Sequence, residues 1–162
     1  MIQQRLSAIR ALLQQNHLAA CIIPGNDPHA SEYMAPHWME MTWISGFLGE
    51  TGTIVITLDK ALLWTDSRYY LQAETELAGS TIELMRESDV DCPSIEQWLM
   101  ANLPEKSTIS VNAEMYSVDA YNALQHTLAL ANIQVRSIDL IAPLWTEERP
   151  AIPQSILYEH KE

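Results

Sequence analysis

From residue 60 to residue 138 the chain alternates short apolar or β-branched runs with longer stretches whose apolar residues recur at helical spacing. Leu62-Leu63-Trp64-Thr65 reads as a strand, and 67–77 as a helix with Asp66 or Ser67 placed to cap it. A strand over 81–85 and a helix over 93–103 with proline in its first turn continue the pattern. A strand over 108–111, a helix over 117–131 and a strand over 133–138 complete it, and 139–145 reads as a last helical turn disturbed by Pro143. Such alternation confines the chain to the α/β class, in which helices cover a sheet. Two strands come earlier. Ala19-Ala20-Cys21-Ile22-Ile23 is a buried run closed by Pro24-Gly25, and 53–58 is rich in β-branched residues. The short gap at Asp59-Lys60 predicts a hairpin, so the expected sheet is mixed and flanked by helices.

The first sixteen residues admit two readings. Arg5 and Arg10, with no acid before Asp27, resemble a transit peptide, but Ile2, Leu6, Ile9, Leu12 and Leu13 fall on one helical face. A first helix packed on the sheet accounts better for that stripe. At 162 residues the chain is long enough for one domain that buries about 70% of its unfolded surface. Its net charge of -12, with basic residues scattered singly, excludes a nucleic-acid or anionic-membrane surface, both of which need cationic patches. Cys21 and Cys92 make neither a metal spacing nor a disulfide framework. No apolar run approaches a membrane span and no signal-peptide core is present, so a cytoplasmic location is expected.

The chemistry, if any, lies between His29 and Gln72. Three of the five glycines and three of the five tryptophans fall between Trp38 and Trp64. Gly46-Phe47-Leu48-Gly49-Glu50-Thr51-Gly52 is not a phosphate loop. A strand follows it instead of a helix N-terminus, and Glu50 would repel the anion. The glycines suit a tight turn between a helix and the sheet. The five histidines are too scattered for a metal pair, and there is no Gly-x-Ser-x-Gly elbow. Arg68 stands out among Trp64, Tyr69 and Tyr70. It could clamp a carboxylate or peptide carbonyl in bidentate fashion, or it could pair with Asp66 or Glu74 or stack on a ring. His29 and Glu32, three apart on an expected short helix, could hydrogen-bond each other.

DPHASEY at 27–33, WISGFLGETGT at 43–53, LWTDSRYYLQA at 63–73 and LWTEERP at 144–150 together resemble the N-terminal domain of aminopeptidase P, the long cytosolic type of Xaa-Pro aminopeptidase. The resemblance covers nearly the whole chain. It implies the creatinase/prolidase N-terminal fold, with a ribonuclease-H-like sheet, over 1–150, and over 151–162 the start of a linker to a second domain. It further implies a separate catalytic domain carrying two divalent metal ions, usually manganese, on aspartate, histidine and glutamate ligands that cannot be placed in this sequence. The parent would be a homodimer that removes the N-terminal residue from peptides with proline at position two. In it this domain is non-catalytic, contacts the second and catalytic domains and shapes substrate access. On that basis the isolated 162-residue piece is expected to be inactive. Arg68, and less directly His29, are the expected substrate-binding residues, while no catalytic or metal-binding residue is expected here. The family often has basic residues where Trp38 to Glu40 stand, which puts contacts from that stretch in question. The alternatives are a prolidase-like dipeptidase N-terminal domain and a stand-alone binding module, the latter opposed by an abrupt end with no closing element.

Overall fold

The computed structural model describes residues 1–156 and Glu159. Its strands are β1 (Ala20–Pro24), β2 (Thr53–Thr57), β3 (Ala61–Thr65), β4 (Ile82–Arg86), β5 (Thr108–Val111) and β6 (Gln134–Ser137). They form one sheet in the order β4-β3-β2-β1-β5-β6. Only β2 runs against its neighbours: it pairs antiparallel with β1 and β3, whereas β3–β4, β1–β5 and β5–β6 are parallel. The expected mixed sheet and its hairpin are therefore present.

Helices α1 (Ile2–Gln15), α2 (Glu40–Ser45) and α3 (Tyr70–Glu76) cover one face, and α4 (Ile95–Asn102) and α5 (Val118–Ala129) the other. Side chains two apart along a strand share a face, so successive residues feed two cores. Cys21, Ile23, Ile54, Ile56 and Leu63 join Leu6, Ile9 and Leu13 of α1 on the first side. Ala20, Ile22, Val55, Leu62 and Trp64 join Leu99, Leu124 and Leu128 on the second. Cover on both faces is why β1 and β3 read as unbroken apolar runs. Each fully buried leucine or isoleucine contributes about 1.5–3 kcal/mol relative to exposure, and α1 alone buries three of them, each 0% exposed. The amphipathic N-terminal stripe is thus a core element.

Several local expectations need correction. The chain from Asp27 to Ala35 contains no helix, so His29 and Glu32 are not on one. Helix α3 starts at Tyr70, and its N-cap Tyr69 makes no side-chain cap bond. Asp66 instead closes a turn by accepting from the Arg68 amide at 2.9 Å. Pro93 precedes helix α4, whose N-cap is Ser94, with Gln97 completing a capping box. Residues 139–145 form a single turn and no longer helix: the Asp139 carboxylate accepts from the Ile141 and Ala142 amides at 2.8 and 3.0 Å, and the Trp145 amide closes the turn on the Ile141 carbonyl at 2.8 Å. Of the expected linker, residues 157, 158 and 160–162 lie outside the described residues, and 151–156 form no regular element.

Candidate functional site

Because five strands run the same way, their carboxyl ends share one edge of the sheet, and the entry to β2 joins them there. In α/β sheets this edge is where ligands bind, since loops rather than side-chain layers fill it. The loops after β1 and β3 and the turn before β2 meet at this edge. The Gly25 amide donates to the Gly52 carbonyl at 2.8 Å, which ties two of them together.

The turn between α2 and β2 is built from the inside. Gly46 ends α2 with φ of 78°, a left-handed conformation that only glycine takes without strain. Phe47 then plunges into the core, fully buried, and its amide donates to the Ser45 hydroxyl at 3.0 Å. A Cβ on Gly49 would come within 2.1 Å of the tip of the Phe47 ring, so the backbone must pass at that spot without a side chain. Leu48 and Glu50 are held at the surface in consequence, and Thr51 is half-buried.

Thr51 and Thr65 join this turn to the end of β3. The Thr65 hydroxyl donates to the Thr51 carbonyl at 2.7 Å, and the Thr51 hydroxyl donates to Asp66 Oδ2 at 2.7 Å. Asp66 also receives Arg68 Nε at 2.9 Å and Arg68 Nη2 at 2.7 Å, a bidentate fork. These hydrogen bonds, first from the Arg68 guanidinium and then from Thr51, hold the Asp66 carboxyl well below the usual carboxylate range. The same contact with Asp66 raises Arg68 further above its already high value. Arg68 lies 5.3 Å over the Tyr69 ring, and Tyr69 in turn donates to Glu50 at 3.1 Å and meets Phe47 edge-on at 6.2 Å.

Of the pairings open for Arg68, the structure shows the one with Asp66 and the stacking on an aromatic ring, while Glu74 pairs with Arg86. The fork uses one edge of the guanidinium. Among the described residues, the other three of its five N–H donors meet no protein acceptor, and the side chain is 66% exposed. Such an edge suits a planar carboxylate or a carbonyl oxygen. The neighbouring aromatics serve the frame. Trp64 donates to the Pro93 carbonyl at 2.9 Å, and Tyr70 accepts from the Ser88 amide at 2.8 Å.

His29 sits in the loop after β1, apart from this ladder. Among the described residues its ring hydrogen-bonds neither Arg68 nor Glu32, and only its amide is fixed, donating to Asp27 Oδ1 at 2.9 Å. Asp27, which sequence reasoning passed over, organises the loop. It is 4% exposed and also receives the Ser31 amide at 3.0 Å. Burial pulls its carboxyl up, but the Ser31 and His29 hydrogen bonds together leave it lowered. An Asp followed two and four residues later by such amides is an Asx-type signal that could have been found.

A second missed constellation explains the LWTEERP motif. Arg149 Nη2 donates to Glu40 at 2.8 Å and its Nε to the His37 carbonyl at 3.2 Å. Arg149 lies 5.0 Å over Trp145, Trp145 stacks on Trp43 at 5.4 Å, and Arg5 lies 4.5 Å over the Trp43 ring. This strap pins 145–149 to α2. Burial pushes the Glu40 carboxyl up to about 7, with Asp139 adding to the rise and Arg149 opposing it. Glu40 and the His37 carbonyl thus face the chain's own C-terminal segment.

Among the described residues no group of three or more His, Cys, Asp or Glu side chains converges to hold a metal ion. No helix among the described residues is long and apolar enough to cross a membrane.

Known proteins share both sequence and shape with the chain. It is 37% identical over 156 residues to Xaa-Pro aminopeptidase 2 of Rattus norvegicus, matching 95% of this chain and 23% of that protein. It is 35% identical to aminopeptidase P2 of Arabidopsis thaliana, over 98% of this chain and 23% of that protein. The crystal structure of X-prolyl aminopeptidase from Caenorhabditis elegans, described as a cytosolic enzyme with a di-nuclear active site, superposes with a TM-score of 0.88. That match has 29% identity and covers 94% of this chain and 26% of the other. The chain thus spans about a quarter of the length of these relatives. The family model for the creatinase/prolidase N-terminal domain matches residues 5–142, and the chain belongs to that family.

Proposed function

We propose that this chain is the non-catalytic N-terminal domain of a metal-dependent Xaa-Pro aminopeptidase, and that its carboxyl edge helps orient the peptide through Arg68. The observation that carries the reading is the pairing of near-complete coverage of this chain with about a quarter coverage of peptidases bearing that name. The parent would cleave an N-terminal residue followed by proline and act as a cytoplasmic homodimer. Two metal ions, manganese in the first instance, would be held outside this chain, where they would polarise the scissile carbonyl and activate water. This chain would supply the free guanidinium edge of Arg68, fixed by Asp66 and Thr51, as a docking point for a substrate carbonyl or carboxylate. His29 is assigned only a rim position on the same edge.

The test is an assay of the full-length protein with manganese on an Xaa-Pro-Pro tripeptide and on the matching Xaa-Pro dipeptide. Release of the first residue from the tripeptide is the expected result. Cleavage of the dipeptide alone would transfer the chain to a prolidase, and cleavage of neither would remove the peptidase reading.

A further inference from the structure

We infer that the hollow beside the Arg68 ladder is a subsite for a basic side chain, so that the peptides this domain receives best carry lysine or arginine downstream of proline. The inference rests on the substrate-facing reading of the carboxyl edge. The hollow, of about 240 Å³, opens between the loop after β1 and the turn before β2. Its apolar walls are Tyr33, Met34, Met39 and Leu48, and its acids are Glu32 and Glu50. Tyr33 and Leu48 are 84% and 68% exposed, an unusual state for two large apolar residues facing one depression. Methionines adapt to ligands of different shape better than branched side chains do.

The chemistry of the lining selects the occupant. A wholly apolar side chain would satisfy the walls but give Glu32 and the second Glu50 oxygen no cationic partner. An acidic one would be repelled by both. Lysine and arginine have an apolar stem with a cationic head, the combination that matches apolar walls and carboxylates at once. Glu50 accepts from Tyr69 through Oε2 only, which leaves Oε1 for a cation. Because Tyr69 donates to Glu50 and also lies under Arg68, one residue links the hollow to the ladder. A peptide crossing this edge would meet a donor fork for its main chain and, beside it, an acidic apolar slot for one side chain.

The test is an NMR titration of the 162-residue chain with three peptides that differ at one position downstream of two prolines, carrying lysine, norleucine or glutamate. The Met34 and Met39 methyl signals report the hollow, and the Arg68 Nε signal reports the ladder. The lysine peptide is expected to shift both methyls and to bind about threefold tighter than norleucine and about tenfold tighter than glutamate. Glu50→Gln and Glu32→Gln should remove the preference for lysine over norleucine, while Glu105→Gln, an exposed acid before β5, should leave it intact. Equal binding of lysine and norleucine, or an equal effect of Glu105→Gln, would overturn the inference. Shifts at Arg68 without shifts at the methyls would overturn it while leaving the Arg68 reading in place. Methyl shifts without a response at Arg68 would overturn the Arg68 reading instead. Silence at both sites would remove both.

Discussion

At the scale of single residues, the ladder Thr51–Asp66–Arg68 makes a specific demand. Asp66 Oδ2 is shared between the Thr51 hydroxyl and Arg68 Nη2, so removing the hydroxyl frees the fork to swing. In the full-length protein Thr51→Val is expected to lower kcat/KM by roughly three- to tenfold, the size of one lost hydrogen bond of about 1 kcal/mol, with Thr51→Ser retaining most activity. An equal loss in Thr51→Ser would show that the hydroxyl is not the cause. Glu40 makes a demand of another kind. Its folded-state value of about 7 lies above the ordinary glutamate value of 4.5, so the native state holds a proton that the unfolded state has released in between. Stability from this group is therefore full below about pH 4.5 and is lost as pH rises through about 7. Between pH 8 and pH 5 the wild-type chain should gain about 2 kcal/mol that Glu40→Gln does not gain, on an order-of-magnitude basis. Denaturant melts of the two proteins at both pH values read the difference. Identical pH profiles would place an ionised Glu40 in the Arg149 pair throughout.

At the scale of elements, the strands were legible because both faces of the sheet are covered, which writes β1 and β3 as continuous apolar runs. The parallel order was implied by the helices between them. Helix starts were legible to within a residue or two, with Asp66 the exception as a cap. Ser94 and Ser117 cap α4 and α5, whereas Asp66 is drawn by the Arg68 amide and guanidinium into a tighter turn that delays α3. Ser94→Ala is expected to cost about 1 kcal/mol in the same denaturant melts, since it removes the hydroxyl that accepts from the Gln97 amide while leaving the Ser94 amide free to donate to the Gln97 side chain. No change would mean that packing of Trp98 and Leu99 alone sets the helix start. The motif at 144–150 was visible as a motif, but its role was not. The Arg149–Glu40 contact spans 109 residues, and nothing local announces a strap that runs from Arg5 through two tryptophans to Arg149. Likewise Arg68 was legible as the residue of interest, while its partner had to be chosen by the fold among Asp66, Glu74 and the rings.

At the scale of the whole molecule, two cores on either side of one sheet make a unit that should unfold in one cooperative step without further domains. The lack of a converging ligand set among the described residues implies that calorimetric titration of the 162-residue chain with manganese will show no tight site. A stoichiometric submicromolar isotherm would place metal ligands here after all. What the domain gives its parent is, on this account, a rigid edge that presents Arg68 to the peptide. The most direct measurement pairs two numbers for Arg68→Lys: kcat/KM in the full-length enzyme on an Xaa-Pro-Pro peptide, and Tm of the variant 162-residue chain. Lysine keeps the charge but loses the planar fork, so the account expects a catalytic loss equivalent to about 1–3 kcal/mol with Tm nearly unchanged. Unchanged kcat/KM together with a markedly lower Tm would contradict it, and would make Arg68 a structural partner of Asp66 and Tyr69.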